Sequence, residues 1–364
     1  MNPTMPQAPA RTGAAGPRRW RQAPSAQLLL FLPLMLAVAL RGDTRDTQTY
    51  IEVFRASAQF PTDPMAYYAA MGMEWGYGLI SWALNCLGLG PTSLFFLFSL
   101  GTFHFLNQAA QRVRLQLLDV APFYLGSFFL LQQLMQIRQG FASVLVLSTI
   151  VLIGTPRARA WRTSAAMVGA ISIHISSAPL MLGAQLLGRL RPPHTRARAL
   201  LWVTAIAACT VLMARAVMSF EVVESLGRLS VYAFDEEYSD SRELLDAANL
   251  RALFLLALLL FCASAQLLRS RAYVLLLGLY AVHLGLRLGF YDFLILSGRL
   301  STALGIVEVL LLPMLLHDRI RDPRLRALIS LAYFATHAAA TLLVQAPYLI
   351  HDYFAPLHAH HTTS

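Results

Sequence analysis

The sequence predicts an all-α, polytopic integral membrane protein, and two observations carry this prediction. Of the 364 residues, 57% are hydrophobic and only 13% are charged, which is more apolar surface than a soluble domain needs. Apolar runs of about 15–22 residues recur from end to end, and such runs are long enough to cross a bilayer as helices. We therefore expect about 9–12 helices, some of them broken or re-entrant.

The candidate spans share this apolar composition and lie near residues 26–40, 76–89, 92–111, 118–135, 139–154, 163–188, 199–218, 250–268, 272–290, 299–316 and 327–345. They form a single transmembrane domain over residues 26–350, because the polar segments between them are too short for a separate domain. The first span has a basic flank and an Ala-Val-Ala near its end. A cleaved signal peptide is therefore the alternative to a retained span.

Polar segments flank this domain on both sides. Residues 1–25 are rich in Pro, Ala and Arg, which predicts a disordered, basic tail on the cytoplasmic side. Residues 351–364 predict a polar tail.

The arginines predict the topology. All 29 basic residues are arginine, and their clusters fall between the apolar runs. Because cytoplasmic loops collect basic residues, we expect the loops at 41–75 and 219–249 to lie outside. The net charge of +10 indicates this topology rather than nucleic-acid binding, since the arginine clusters have no soluble scaffold that would present them to a nucleic acid.

Two irregular segments are needed to satisfy this rule. Counting every candidate as a full span would place the arginines at 157–162 outside. Segment 76–89 is short enough to be interfacial or re-entrant, and segment 163–188 is long enough to form a hairpin of two half-helices. The hairpin would bend at His174 and return at the following proline. Arg138 would then lie at an external turn, on the same face as His174.

Two ionisable residues inside apolar runs are the first candidate site residues. Arg138 and Gln139 directly precede the apolar run GFASVLVLSTIVLIG, and Glu308 lies within the apolar run LSTALGIVEVLLLPMLL. A charge at the bilayer centre costs about 2.5–3.5 kcal/mol on insertion scales, so such residues usually face a cavity, a partner or a substrate. A guanidinium suits bidentate capture of phosphate oxygens. A structural arginine at a broken helix is the alternative for Arg138.

Three carboxylates and one imidazole are the candidate proton acceptors: Asp43, Asp46, Glu74 and His174. The first two belong to a charged segment directly after the first span, where an ordinary solvated loop is the alternative. Glu74 precedes an apolar segment, where a helix-entry glutamate is the alternative. A lone intramembrane histidine is more often packed and hydrogen-bonded than catalytic. The residues alone do not rank these four.

Short motifs, taken in order, resemble the EpsG family of bacterial exopolysaccharide polymerases, which are relatives of the Wzy O-antigen polymerases. The motifs are GDTRDTQTY, EWGYGLI, IRQGFA, IHISSAPL, GRLSVY, GRLSTALGIVEVLLLP and QAPYLI. They lie at span boundaries over roughly residues 41–350. Family members often carry an aromatic pair where this chain has Ser301, Thr302 and Ala303, which leaves the role of Ser301 open.

The resemblance implies a multi-pass protein of the bacterial inner membrane with a membrane glycosyltransferase-like fold. Such a protein would join oligosaccharide repeat units, carried on undecaprenyl pyrophosphate, into exopolysaccharide, capsule or O-antigen at the extracytoplasmic face. We expect no cofactor and no metal, because the sequence has no GxGxxG, P-loop or DxD motif. The expected partners are the lipid-linked oligosaccharide, membrane lipids and a chain-length regulator protein, and not nucleic acid.

The resemblance also assigns roles to the candidate residues. The candidate pyrophosphate ligands are arginines and one neighbouring amide: Arg138, Gln139, Arg299, Arg45 and Arg228. Glu308 is expected to orient an arginine, since a buried charge needs a partner. The candidate sugar-stacking residues are tyrosines: Tyr50, Tyr77 and Tyr232.

Other function classes remain open. An O-antigen ligase or a polyprenyl-phosphate-sugar glycosyltransferase would share this architecture, although a ligase typically carries a larger external loop than residues 219–249. A flippase or transporter for lipid-linked sugars would use the same intramembrane charges to line a path. The products distinguish these classes: longer chains, transfer to a different acceptor, or movement without chemistry.

Overall fold

A computed structural model describes residues 24–44, 46–153, 160–193, 195–219, 244 and 246–355. Throughout these ranges the regular secondary structure is helical, and no strand occurs in them. The all-α, polytopic membrane fold predicted from the sequence is therefore confirmed.

The helices, in chain order, are α1 (Pro24–Leu29), α2 (Leu32–Ala39), α3 (Thr47–Ala56), α4 (Pro64–Met71), α5 (Trp75–Cys86), α6 (Pro91–Arg112), α7 (Leu117–Tyr124), α8 (Ile137–Ile153), α9 (Ala160–Ile173), α10 (Ala178–Arg189), α11 (Arg196–Ser219), α12 (Ala247–Phe261), α13 (Ala265–Leu268), α14 (Arg271–Gly289), α15 (Leu294–Gly305), α16 (Glu308–Arg319), α17 (Pro323–Ala340) and α18 (Leu349–Phe354). Two π-helical segments extend α7 and α17, over Leu125–Gln133 and Thr341–Gln345.

Arginine-rich loops meet at one end of the bundle, which we call the basic end. Arg196, at the start of α11, donates a 2.9 Å hydrogen bond to the carbonyl of Ala263, which follows α12. Arg271, at the start of α14, donates a 2.9 Å hydrogen bond to the carbonyl of Gly188 in the last turn of α10. The ends of four helices are thereby gathered where the sequence places its basic clusters.

The segment after the first span lies at the opposite end. Arg41 donates a 3.1 Å hydrogen bond to the carbonyl of Leu134, which follows the first π-helical segment. The backbone N–H of Gly42 donates to the carbonyl of Tyr353 at 2.9 Å. The last helix is thus packed against the bundle, although its residues were predicted to begin a polar tail.

The long apolar segment 163–188 is broken at His174, as predicted. This residue has extended backbone angles (φ −157°, ψ 117°) between α9 and the short turn that precedes α10. Gln185 on α10 donates a 2.8 Å hydrogen bond to the sulfur of Met167 on α9. In a straight helix these two residues would lie about 27 Å apart. The two half-helices therefore fold back on each other, and the predicted hairpin is confirmed.

Within the described ranges, four helical stretches are long and apolar enough to cross a membrane alone: Arg196–Met218, Arg271–Gly289, Leu300–Arg319 and Pro323–Gln345. Shorter apolar helices cover Ile137–Ile153, Thr163–Ile173 and Ala247–Phe261. Uninterrupted spans are thus fewer than the sequence suggested, because turns divide several predicted spans into shorter helices. Segment 76–89, predicted to be interfacial or re-entrant, contains only the 12-residue helix α5.

Helix α14 lies at the centre of the C-terminal half and packs along α11. The two helices approach closely at Gly285. A Cβ atom built there would lie 2.6 Å from the Cβ of Thr210 and 2.8 Å from the backbone oxygen of Ala207. Small residues permit such close backbone contact between membrane helices. A glycine is therefore required at this crossing.

We predict that Gly285→Ala destabilises the protein, because the added methyl must displace backbone and side-chain atoms of α11. Overpacking of this kind costs about 1–3 kcal/mol. The measurement is thermal unfolding of the purified protein in detergent. The matched control is Gly298→Ala on α15, where a built Cβ meets nothing within 4 Å. Equal unfolding temperatures for the two variants would contradict the described α11–α14 contact.

Candidate active site

The Glu74 carboxylate holds an arginine and a histidine at the end of the bundle opposite the basic end. Its Oε2 accepts a hydrogen bond from Nη1 of Arg138. Its Oε1 lies 2.9 Å from Nδ1 of His174 and accepts the backbone N–H of Ile175 at 3.2 Å. We call Glu74, Arg138 and His174 the Glu74 cluster. Three residues that were separate candidates in the sequence therefore form one contiguous group.

Local structure brings these side chains together. Glu74 immediately precedes α5, Arg138 lies in the first turn of α8, and His174 occupies the break between α9 and α10. Helix α5 approaches α9 closely, since a Cβ built at Gly76 would lie 2.8 Å from the backbone oxygen of Ser172. The glycine two residues after Glu74 thus lets the carboxylate reach the hairpin bend.

The protonation of this group follows from its contacts. Burial by itself would raise the pKa of Glu74, but the hydrogen bond from His174 and the positive charge of Arg138 hold that pKa below its ordinary value. An ionised carboxylate only accepts hydrogen bonds, so His174 carries its hydrogen on Nδ1. Among the described residues, Nε2 of His174 has no hydrogen-bond partner. In the neutral imidazole this nitrogen is the hydrogen-bond acceptor.

Two tyrosines support the guanidinium of Arg138. Its central carbon lies 5.6 Å from the ring centroids of both Tyr50 and Tyr77, within the range of cation–π attraction. Both rings are buried, and the Tyr77 hydroxyl donates a 3.3 Å hydrogen bond to the carbonyl of Tyr50. The expectation that these rings stack on sugars is not supported, because their faces are covered by protein. They pack against Arg138 instead.

Arg138 retains hydrogen-bonding capacity beyond Glu74. Its Nε is buried and has no hydrogen-bond partner among the described residues. A buried, unmade hydrogen bond is costly, so this N–H favours a further hydrogen-bond acceptor. The Arg138 side chain as a whole is 14% exposed.

Two further acidic candidates lie at the same end of the bundle. Asp46 precedes α3, and its backbone carbonyl accepts a 3.1 Å hydrogen bond from the N–H of Tyr50. Asp43 is half-buried, and its backbone N–H donates a 3.1 Å hydrogen bond to the carbonyl of Ala355. Gln139 is buried on α8 next to Arg138. Gln139 adjoins the Glu74 cluster in the sequence, and Asp43 and Asp46 lie at the same end of the bundle. The roles of all three residues stay predictions.

Several candidates cannot be placed by the structure. Arg45, Arg228 and Tyr232 lie outside the described residues. Arg299 belongs to α15, but its side chain lies outside what the structure describes. Their predicted roles stay predictions.

Glu308 belongs to a second group of buried polar side chains. Its Oε1 accepts a 2.6 Å hydrogen bond from Nη2 of Arg251 and a 3.1 Å hydrogen bond from the hydroxyl of Tyr333. Nη2 of Arg251 lies 2.8 Å from that hydroxyl, and the hydroxyl is also hydrogen-bonded to Ser127 at 2.7 Å. We call Arg251, Glu308 and Tyr333 the Arg251 cluster. The expectation that Glu308 pairs with an arginine is confirmed.

The charged candidates that the structure brings into contact lie in separate groups: Arg138 and His174 join Glu74, whereas Glu308 pairs with Arg251. Arg251 was not among the candidates predicted from the sequence, although a usable signal was present. Arg251 begins the run RALFLLALLLF, and a charge in an apolar helix is the same signal that identified Glu308. Arg41 was also missed as an anchor: it is 3% exposed, and its guanidinium lies 4.1 Å from the ring centroid of Phe95.

The fold and the site define an all-α, polytopic membrane protein that holds a carboxylate, an arginine and a histidine together at one end of its helix bundle. The model of the EpsG family matches residues 27–355, which is nearly the whole chain. The protein therefore belongs to the EpsG family, a family of Wzy-like polymerases. The resemblance seen in the ordered motifs is confirmed. Neither the curated proteins nor the solved structures gave a match.

Membership of this family supports, in general terms, an exopolysaccharide polymerase that is a glycosyltransferase-like enzyme of polysaccharide biosynthesis. The apolar helices and the family together make it a membrane protein.

We predict that Glu74→Gln lowers the unfolding temperature at pH 7 by about 5 °C or more, because the buried positive charge of Arg138 loses its partner. The folded-state pKa of Glu74 lies below its ordinary value of 4.5. Its stabilising effect is therefore present above pH 4.5 and is lost as the pH falls through the lower, folded-state pKa. The difference between wild type and variant should accordingly shrink in acid.

Thermal unfolding in detergent across a pH series measures this difference. The control is Arg55→Gln on the exposed face of α3, for which surface substitutions predict a change within about 0.5 kcal/mol. A Glu74→Gln variant that unfolds at the wild-type temperature at pH 7 would show that the carboxylate does not hold Arg138.

Proposed function

We propose that the protein polymerises undecaprenyl-pyrophosphate-linked oligosaccharide repeat units at the extracytoplasmic face of the bacterial inner membrane. The observation that supports this proposal is that Glu74 is hydrogen-bonded to both Arg138 and His174. It places a phosphate-binding cation beside a nitrogen that can accept a proton. Glycosyl transfer from a lipid pyrophosphate needs both groups at once.

The membrane face follows from the distribution of charge. Basic loops stay in the cytoplasm, and the described loops at residues 189–198, 269–271 and 319–326 are rich in arginine. The contacts of Arg196 and Arg271 gather such loops at the basic end. The Glu74 cluster lies at the other end, so we assign it to the extracytoplasmic face.

The proposed step is a single displacement. Nε2 of His174 accepts the proton of the attacking hydroxyl on the acceptor repeat unit. The hydroxyl oxygen forms a bond to the anomeric carbon of the donor sugar, while the bond from that carbon to the pyrophosphate oxygen breaks. The electron pair stays on the lipid pyrophosphate, whose developing charge Arg138 stabilises. This displacement inverts the anomeric centre, and the proton leaves His174 for solvent afterwards.

Glu74 is the positioning residue in this mechanism rather than the base. Its two oxygens already accept three hydrogen bonds, and its pKa is held below the ordinary value. Both effects make it a poor proton acceptor. By fixing Nδ1–H of His174, it orients the other ring nitrogen and stabilises the imidazolium that forms. We therefore rank His174 ahead of Glu74, Asp43 and Asp46 as the base.

The proposal names no cofactor and no metal, because Arg138 supplies the positive charge that the leaving group needs. Its substrates are two lipid-linked oligosaccharides, embedded among membrane lipids. A chain-length regulator protein stays an expected partner of the polymerase.

Replacement of His174 by Ala should reduce polymer formation by about 10²–10⁴-fold, the usual contribution of a general base. Arg138→Ala and Arg138→Lys should also lose long chains, because lysine cannot make bidentate contacts with phosphate oxygens. The measurement is the length of the polysaccharide in a host that lacks its own polymerase. Membrane abundance of each variant is measured in parallel.

The matched control is Arg215→Lys at the same end of the bundle. Arg215 pairs with Asp292 at 2.5 Å and is partly exposed, so it tests whether replacing any carboxylate-paired arginine by lysine suffices. Wild-type chain lengths are expected from this control. If both Arg138 variants also restored wild-type chains, the assignment of Arg138 to the pyrophosphate would be wrong.

Purified protein in lipid nanodiscs should convert lipid-linked repeat units into longer lipid-linked chains without added sugar nucleotide. Chromatography of the lipid-linked products measures their length. Transfer only to a different acceptor would indicate a ligase, and movement of unchanged repeat units across the bilayer would indicate a flippase. Strict dependence on a sugar nucleotide would indicate another glycosyltransferase class. Each of these three results contradicts the proposal.

A further inference from the structure

We infer that a groove beside Arg251 binds the phosphate and the isoprenoid tail of the second lipid-linked substrate. The inference rests on the proposed function, in which two lipid-linked sugars react. Only one of the two pyrophosphates can occupy Arg138. The other lipid then needs its own anion-binding site and its own apolar path. The Arg251 cluster and the groove beside it offer both.

The groove is a cavity of about 310 Å³ between α12, α16 and α17. Its walls are mostly apolar and include Phe254, Leu258 and Leu312. Its polar lining comes from Arg251, Tyr333 and His337. A mostly apolar pocket with a few polar groups is the usual form of a site for an amphiphilic ligand.

The unused hydrogen-bonding capacity of Arg251 favours an anionic ligand. Its Nη2 is hydrogen-bonded to Glu308 and Tyr333, whereas its Nε is buried and has no partner among the described residues. The Arg251 side chain is 34% exposed, while that of Glu308 is only 2% exposed. The arginine thus presents the accessible charge of the pair. Its Nη1 has no hydrogen-bond partner among the described residues, so this group is the one that a phosphate oxygen would contact.

A second cavity adjoins the groove along α17. It has a volume of about 580 Å³, shares Leu316 with the first and extends along α17 to Pro323. From His337 to Pro323 is about 21 Å of helix at 1.5 Å per residue. Only 11% of the apolar stretch Pro323–Gln345, which contains α17, is buried. A tail can therefore enter from the membrane beside this helix.

The π-helical segment Leu125–Gln133 joins the two clusters. Ser127, near its start, hydrogen-bonds to Tyr333 of the Arg251 cluster. The chain then passes Leu134, which anchors Arg41, and enters α8 at Ile137 next to Arg138. One short stretch of backbone therefore connects the two anion-binding sites. This connection is consistent with two substrates that must meet in order to react.

Photolabelling of the purified, full-length protein tests the inference. The probe is a geranylgeranyl-type isoprenoid phosphate that carries a diazirine in its tail. Mass spectrometry locates the labelled peptides. We expect labelling of peptides from α12, α16 and α17. A phosphatidylglycerol that carries the same diazirine is the comparison probe. We expect that it does not label these peptides preferentially.

Leu258→Trp fills the groove and leaves Arg251 paired with Glu308, so it tests the site without removing a charge. It should reduce labelling by about tenfold, equivalent to about 1.4 kcal/mol of binding free energy. The matched control is Leu253→Trp on the same helix, whose side chain is 52% exposed and does not line the groove. Its labelling should equal that of the wild type. Arg251→Gln should also reduce labelling, with thermal unfolding measured beside it.

Three results would overturn the inference: full labelling of Leu258→Trp, labelling confined to other helices, or equal labelling by phosphatidylglycerol at these peptides, which would indicate a general phospholipid site. His174→Ala separates this test from that of the proposed function, because it removes the proposed base and leaves the groove intact. Labelling without polymerase activity in the wild type would contradict only the proposed function. Polymerase activity without labelling would contradict only the groove.

Discussion

The Glu74 carboxylate is the interaction on which the rest of the site depends. It accepts hydrogen bonds from Arg138, from the His174 ring and from the Ile175 backbone. These contacts join the start of α5, the start of α8 and the bend of the α9–α10 hairpin. Without this negative charge, a cation and an imidazole would share a partly buried space with no counter-charge, which is costly in a low-dielectric environment. The proposed catalytic geometry and the local stability therefore have one common cause.

Charge in an apolar bundle also explains the second cluster. Glu308 is 1% exposed and accepts hydrogen bonds from the guanidinium of Arg251 and the hydroxyl of Tyr333. The two clusters differ in what their arginines face: Arg138 lies against buried tyrosines, whereas Arg251 lines an apolar cavity. The same physical requirement, a partner for every buried charge, thus gives one site suited to chemistry and one suited to holding a lipid.

The sequence predicted the helical membrane fold, the hairpin bend at His174 and the common face of Arg138 and His174, because hydropathy, proline position and arginine-rich loops each have a direct physical meaning. It did not predict that Glu74 joins them, since these partners lie 64 and 100 residues away and the contact needs the close approach of α5 and α9 at Gly76. Tyr50 and Tyr77 were predicted to face sugars, but a tyrosine near the end of an apolar run can be either buried or interfacial, and the sequence does not distinguish the two.

An experimental structure with a non-hydrolysable phosphonate analogue of the lipid-linked repeat unit is the most direct measurement of the central claim. We expect the phosphonate oxygens to contact the guanidinium of Arg138, and a sugar hydroxyl to lie within hydrogen-bonding distance of Nε2 of His174. We also expect Glu74 to contact both residues in the complex. An analogue bound with its phosphonate away from Arg138, and its sugars away from His174, would contradict the account.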